Sequence, residues 1–179
     1  MLKSRRNWFI AIATFASLAA GNVAQTNSMP QAAPPADTAA TLVVKGAVKQ
    51  ELQLTLADLK SMPRTKVTAK GHDGATHEYE GVALSAILAK AGAPQSGDLR
   101  GKSMPLCVVA EAGDGYRAVF SLAELDADFA AEMVLVADTA DGKGIGADQG
   151  PLRLVVPGDK RQGRWVRMLK ALSIVNTVQ

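Results

Sequence analysis

The segment from residue 159 to residue 167 carries the densest group of ligand-binding side chains in the sequence. It reads Asp159-Lys160-Arg161-Gln162-Gly163-Arg164-Trp165-Val166-Arg167 and combines four cations with a glycine and a tryptophan. Lysine and arginine bind phosphate through charge and hydrogen bonds, and tryptophan packs against rings and cations. The segment predicts a site for a small anionic ligand or cofactor, formed by Lys160, Arg161, Arg164 and Trp165. The alternative is a solvated turn before a final strand anchored by Trp165.

Three further side chains are candidates for the same site. Arg153 alternates with Leu152 and Leu154, so it faces either a pocket or a carboxylate on the surface. His72 and His77 lie in a polar stretch that contains glycine, and imidazole is a common ligand of cofactors and metals. We predict both as cofactor-binding residues and predict no metal site. The alternative for the two histidines is a solvated loop.

Cys107 is the one cysteine of the chain, so no disulfide can form within it. It lies among β-forming residues in the run Leu106-Cys107-Val108-Val109-Ala110. A small, weakly polar thiol in such a run is usually buried packing. We therefore predict a structural role for Cys107 and not a metal thiolate.

The elements that position these residues are short strands and short helices. Thr55 and Asp58 have the spacing of a helix-capping box, and so do Ser121 and Glu124. A helix is predicted at 83–91, because Leu84, Ile87, Leu88 and Ala91 share one helical face, and Gly92 follows as a C-cap. Period-two patterns and β-forming residues predict strands at 41–48, 51–54, 66–69, 77–79, 106–112, 116–120, 133–137, 152–156 and 165–175, with a loop at 138–150. The fold class is α/β, with a mixed sheet and helices too short for a doubly wound sheet.

Charge and motifs exclude several classes of function. The chain has 179 residues and a net charge of +3, with 20 basic and 17 acidic residues. Lys3, Arg5 and Arg6 account for that excess, so the rest of the chain is balanced and predicts no nucleic-acid partner. The sequence also has no complete Gly-x-x-x-x-Gly-Lys-Ser/Thr phosphate-binding loop, no Gly-x-Ser-x-Gly and no His-Glu-x-x-His.

The chain divides into three parts. Residues 1–24 begin with basic residues and continue into about 13 apolar ones, which is typical of an export signal and too short to span a bilayer. A secretory signal and a twin-arginine signal both fit Arg5-Arg6. Residues 25–40 are rich in proline and small residues and predict a flexible linker, so 41–179 is the folded domain. We expect an exported protein, periplasmic in a Gram-negative source, with no transmembrane segment in the mature chain.

Several phrases of the folded part together resemble one known family. They fall in that family's order and cover nearly all of 41–179. The phrases are Leu54-Thr55-Leu56-Ala57-Asp58-Leu59, Met62-Pro63-Arg64, Gly81-Val82-Ala83-Leu84, Asp114-Gly115-Tyr116, and Gly150-Pro151-Leu152-Arg153-Leu154-Val155-Val156-Pro157 leading to Arg164-Trp165-Val166. On these phrases the chain resembles the molybdopterin-binding domain of the sulfite oxidase family.

The resemblance implies that family's α/β fold and a molybdopterin cofactor whose molybdenum the family also binds through a cysteine thiolate. The family's cysteine falls between the strand at 66–69 and Gly81-Val82, but here that interval contains no cysteine. Two functions stay open. One is an exported molybdopterin-dependent oxidoreductase that binds a pterin or another anionic cofactor in a basic pocket and works with a redox partner protein. The other is a non-catalytic domain that keeps the fold and binds a ligand or a partner.

Overall fold

The computed structural model describes residues 42–131 and 133–178. The predicted export signal at 1–24 and the predicted linker at 25–40 lie outside these residues. Within the described ranges, no helix has the length and apolar character needed to cross a membrane. The folded part is mixed α/β with two sheets and few helices, which confirms the predicted class.

The first sheet has five strands in the order β2-β1-β10-β5-β6. β1 runs parallel to β10, and the other neighbours are antiparallel. Residues of these strands alternate between a buried and an outer face, as in β1, where Leu42 and Val44 are buried and Lys45 is exposed. The strands are β1 (Leu42–Gly46), β2 (Leu52–Leu54), β5 (Leu106–Ala112), β6 (Arg117–Ser121) and β10 (Leu169–Asn176).

The second sheet has the order β3-β4-β7-β8, and β9 pairs with β7 as well. All its pairs are antiparallel. One hydrophobic cluster contains buried residues from both sheets, so the sheets share a single core. The strands are β3 (Arg64–Lys70), β4 (Thr76–Ala83), β7 (Leu135–Ala140), β8 (Lys143–Gly144) and β9 (Arg153–Val155).

Two α-helices lie close to the predicted positions. α1 (Leu56–Ser61) begins at a complete capping box, because Thr55 Oγ1 accepts from the amide of Asp58 and Asp58 Oδ2 accepts from the amide of Thr55. α2 (Leu84–Lys90) buries Leu84, Ile87 and Leu88. Among the described residues, 3₁₀ turns lie at Ser96–Asp98, Gly101–Ser103, Ala123–Leu125 and Gln162–Arg164.

Two predicted segments differ most from the structure. The strand predicted at 165–175 begins only at Leu169, because a 3₁₀ turn ends at Arg164 and Met168 has a positive φ of 48°. The loop predicted at 138–150 is partly strand, since β7 continues to Ala140 and turns back into β8. Asp141 and Gly142 make that turn with φ of 50° and 75°, the left-handed pair that a tight hairpin needs.

Candidate functional site

A cavity of about 710 Å³ opens where four connections between strands meet. The connections are the β3–β4 hairpin tip, the β5–β6 turn, and the segments before and after β9. The residues that line it are Lys70, Gly71, His72, Ala112, Asp114, Tyr116, Gln149, Arg153, Pro157, Asp159, Lys160, Arg161, Gln162, Gly163, Trp165 and Arg167. A cavity of this volume is large enough for a cofactor-sized organic ligand.

The lining is electropositive. It includes five lysine and arginine side chains and only two carboxylates. One of the two carboxylates, Asp159, is bound to Arg164, whose Nη2 lies 2.6 Å from Asp159 Oδ1. The five cations are Lys70, Arg153, Lys160, Arg161 and Arg167. A concave surface with this balance attracts anions, since the cavity walls limit screening by water.

The loop between β9 and β10, residues 156–168, is bound to both hairpins that border the cavity. The side-chain amide of Gln162 donates to the carbonyl of Lys70, at the end of β3. On the other side, the hydroxyl of Tyr116 donates to the carbonyl of Gly163. These two contacts hold the basic segment over the cavity, and they bring together residues that are 92 and 47 positions apart in the sequence.

Arg153 is the most buried cation of the site, with 7% of its surface exposed. Its guanidinium carbon lies 5.2 Å from the ring centre of Trp165 and 5.8 Å from that of Tyr79. Burial lowers the pKa of Arg153, and the nearby charge of Arg167 lowers it further. The ring of Trp165 is fixed in turn, because its Nε1 donates to the carbonyl of Val156 at 2.9 Å.

The structure brings five of the seven predicted site residues to the cavity. Those five are His72, Arg153, Lys160, Arg161 and Trp165. Trp165 is only 5% exposed and has Arg153 at its ring, so it forms the cavity wall and supports the arginine. The exposed aromatic ring at the cavity belongs to Tyr116, which is 51% exposed.

The other two predicted residues lie outside the lining. Arg164 binds Asp159 and also Glu124, with its Nη1 2.8 Å from Glu124 Oε2. These carboxylates raise the pKa of Arg164, first Asp159 and then Glu124. His77 lies in β4, with Nδ1 2.7 Å from Asp141 Oδ2 and Nε2 3.1 Å from Asp73 Oδ2.

Sequence reasoning did not select several of the lining residues, among them Lys70, Tyr116 and Gln149. Lys70 directly follows the strand predicted at 66–69, and Tyr116 begins the strand predicted at 116–120. The meeting of two hairpin tips is therefore the signal that would find them. Gln149 has no signal of this kind, because it lies in the segment predicted as a plain loop. It is nonetheless the residue whose side-chain oxygen accepts from Arg153 Nη1, at 2.5 Å.

The residues present fit the anionic part of a molybdopterin cofactor but not a protein sulfur ligand for its metal. The cavity supplies cations, and the buried Arg153 has a nitrogen with no partner among the described residues. Cys107 is 7% exposed on β5 and is not among the lining residues, and burial raises the pKa of its thiol. In the part of the chain that the structure describes, no group of three or more His, Cys, Asp or Glu could hold a metal ion.

Comparison with known proteins gives a family and a solved neighbour. The sequence profile described as "Oxidoreductase molybdopterin binding domain" matches residues 29–179. The crystal structure of the sulfane dehydrogenase SoxCD from Paracoccus pantotrophus is similar, with 27% identity and a TM-score of 0.59 over 74% of this chain. The match covers 37% of the SoxCD chain, so this chain spans little more than a third of that protein. The comparison with curated proteins finds no match.

Proposed function

The chain belongs to the oxidoreductase molybdopterin-binding domain family, and from that membership we propose that its basic cavity binds the anionic pterin portion of a molybdopterin-type cofactor. The observation that carries the proposal is the charge of the lining, five cations against two carboxylates, one of which is already paired. Such a cofactor, when bound, supplies two-electron redox chemistry at its molybdenum. The expected class of activity is therefore oxidoreductase.

The chain's own residues divide the work of binding. Lys160 and Arg161 are exposed on the loop between β9 and β10, and Lys70 is exposed on the β3–β4 tip across from them. These three cations can move onto a phosphate as it enters. Arg153 is held below them by aromatic rings and meets an anionic group with a fixed geometry. The exposed Tyr116 ring offers a face for a planar heterocycle.

The cofactor would be retained by charge and ring contacts alone. The chain has a single cysteine, and that residue is buried on β5 away from the lining. A thiolate bond is a strong attachment that salt does not screen, whereas contacts with lysine and arginine weaken as ionic strength rises. We therefore expect the bound cofactor to be lost during purification at high salt.

A second function has its own support. A non-catalytic domain that binds an anionic ligand or partner needs the same basic cavity but no sulfur donor, and the lining lacks a sulfur donor.

We also propose that the protein is exported to the periplasm, because Lys3, Arg5 and Arg6 precede an apolar run, as in an export signal. If the domain is catalytic, we propose that a separate redox protein is its electron partner.

The two functions separate in a cofactor analysis. The full-length chain is produced in cells that make molybdopterin and in matched cells that cannot, and it is purified at low salt. Molybdenum is then measured by mass spectrometry, and the pterin by fluorescence after oxidation. We expect close to one pterin per chain from the competent cells and none from the others. Protein from competent cells that carries neither molybdenum nor pterin would reject the cofactor proposal in favour of the binding domain.

Matched variants connect the result to the cavity. Changing Lys160 and Arg161 together to Gln should lower the pterin content, since two cavity cations are removed. Changing Lys45 and Lys102 to Gln removes two exposed cations outside the lining and should leave the content unchanged. Cys107→Ser should keep the molybdenum of the unchanged protein, and its loss in that variant would mean that the thiol is a metal ligand after all.

A further inference from the structure

The guanidinium of Arg153 is buried without a carboxylate. Its Nη1 donates to the side-chain oxygen of Gln149, and its Nε has no hydrogen-bond partner among the described residues. No carboxylate of the described ranges lies within ion-pair distance of it. Buried arginines are normally paired, because an isolated buried charge is costly.

Another arginine of the same fold has the usual arrangement. Arg64 on β3 is half-buried, and its two terminal nitrogens bind both oxygens of Asp138 at 2.6 and 2.7 Å. Glu80 accepts from its Nε at 3.2 Å. Arg64 is therefore fully neutralised by its neighbours. At Arg153 the position of the partner is instead taken by an uncharged amide, and Arg167 lines the same cavity as a second cation.

Gln149 is held in place by its backbone. Its amide donates to the carbonyl of Gly146 at 3.0 Å, and its carbonyl accepts from the amide of Met168 at 2.9 Å. These contacts connect the residue to the turn at Gly146 and to Met168, at the end of the loop between β9 and β10. The side chain therefore reaches Arg153 from a fixed point, and a residue of the same length with a different charge would reach it from there as well.

We propose that Gln149 determines the specificity of the cavity for anions: it orients Arg153 as a neutral acceptor, so that the ligand must supply the negative charge. The group recognised is a carboxylate or another oxyanion that binds to the guanidinium of Arg153. The proposal rests on the proposed function in that it concerns the same cavity, but it requires only an anion and not a molybdenum cofactor. Gln149 acts through Arg153 and is a positioning residue.

Gln149→Glu is the decisive change, because glutamate has the size of glutamine and brings the missing charge. The probes are two fluorescent ligands, pterin-6-carboxylate and unsubstituted pterin, titrated into the full chain at neutral pH and low salt. In Gln149→Glu we expect the affinity for pterin-6-carboxylate to fall about tenfold or more, since the introduced side chain would pair with the charge that the ligand carboxylate needs. The affinity for unsubstituted pterin should change less than about twofold.

A control variant and a stability measurement separate this positioning role of Gln149 from a merely structural one. The same charge change at an exposed position, Gln53→Glu on β2, should leave both affinities as they are. Thermal unfolding of Gln149→Glu should occur at a higher temperature than in the unchanged protein, because Arg153 gains an ion pair. Equal losses of affinity for both pterins in Gln149→Glu would overturn the proposal, and so would unchanged affinity for the carboxylate.

Two further measurements keep the test decisive. If Gln149→Glu does not fold, Arg153→Gln is used, and it should remove the preference for the carboxylated pterin; a preference that persists overturns the proposal. If the unchanged chain binds neither pterin, the proposed function fails, and inorganic phosphate is the probe. Gln149→Glu should then weaken phosphate binding about tenfold, and a chain that binds no phosphate either would overturn this inference too.

Discussion

Arg153 lies in β9 and Arg164 lies in the loop that follows this strand, yet their electrostatic surroundings are opposite. Arg164 has a side chain that is 38% exposed, and it binds Asp159 and Glu124 while its guanidinium carbon lies 4.8 Å from the ring centre of Phe120. Arg153 is almost fully buried, and its only described hydrogen-bond partner is the uncharged Gln149. The carboxylates raise the pKa of Arg164, whereas burial lowers that of Arg153.

The difference indicates what each charge does. The charge of Arg164 is neutralised by contacts that connect the loop between β9 and β10 to the turn at Ala123–Leu125. Its role is therefore to hold the loop that carries Lys160 and Arg161. The charge of Arg153 is not neutralised within the described protein, so it remains for a ligand. Exposure alone would suggest the reverse assignment, because Arg164 is the more accessible residue.

The largest expected effect is that of Arg153→Met, which removes the charge and keeps an apolar side chain of similar length. We expect the affinity for pterin-6-carboxylate to fall by about 1–3 kcal/mol, or roughly fivefold to 150-fold, because a charged hydrogen-bond donor is lost. The stability to urea should be equal or higher, since an unpaired buried cation has been removed. A variant with lower stability and unchanged affinity would assign Arg153 to the fold.

Arg164→Met should show the reverse pattern and a smaller effect. We expect the free energy of unfolding to fall by about 1–2 kcal/mol, because two partly exposed ion pairs and a cation–ring contact are lost together. The affinity for pterin-6-carboxylate should change by less than about threefold. Arg100→Met, at an exposed position, controls for the loss of a cation. A loss of affinity in Arg164→Met as large as that in Arg153→Met would remove the distinction between the two arginines.

Local patterns in the sequence predict most of the fold. Both capping boxes are present, since Ser121 and Glu124 also exchange hydrogen bonds between side chain and backbone. The helix after Ser121 is only a short 3₁₀ turn, because Asp126 follows in an extended conformation. The strand predicted to begin at Trp165 begins later for a tertiary reason, as the indole of that residue turns inward to bind Val156.

The site is less predictable, because partners that are distant in sequence decide which cations are free. The segment 159–167 marks the correct loop, but nothing in its composition indicates that Glu124, 40 residues earlier, neutralises Arg164. The same holds for His77, whose partner Asp141 is 64 residues away. Gln149 could not be found at all from its neighbours, since its importance comes from the absence of charge beside Arg153.

The two predicted histidines differ in the same way as the two arginines, since one lines the cavity and the other is bound to carboxylates. His72 lines the cavity, whereas His77 lies between Asp141 and Asp73 and connects the β3–β4 hairpin to the β7–β8 turn. Hydrogen bonds to Asp141 and then to Asp73 raise the pKa of His77. The pKa of Asp141 is lowered, chiefly by His77, and that of Asp73 is lowered by the amide of Ala75 and then by His77.

The smallest expected effect is therefore a dependence of stability on pH. Because the pKa of His77 is higher in the folded state, its contribution is complete below about pH 6.5 and is lost as the pH rises through the folded value. The two carboxylates contribute above about pH 3.9, where they are charged even when unfolded, and lose that contribution in acid. Urea unfolding should thus show a stability that declines as the pH rises above about 6.5, and this decline should be abolished by His77→Gln and retained in His72→Gln. If both variants keep the decline, the contact between His77 and Asp141 does not stabilise the fold, and the hairpin beside the cavity is held by its backbone pairing alone.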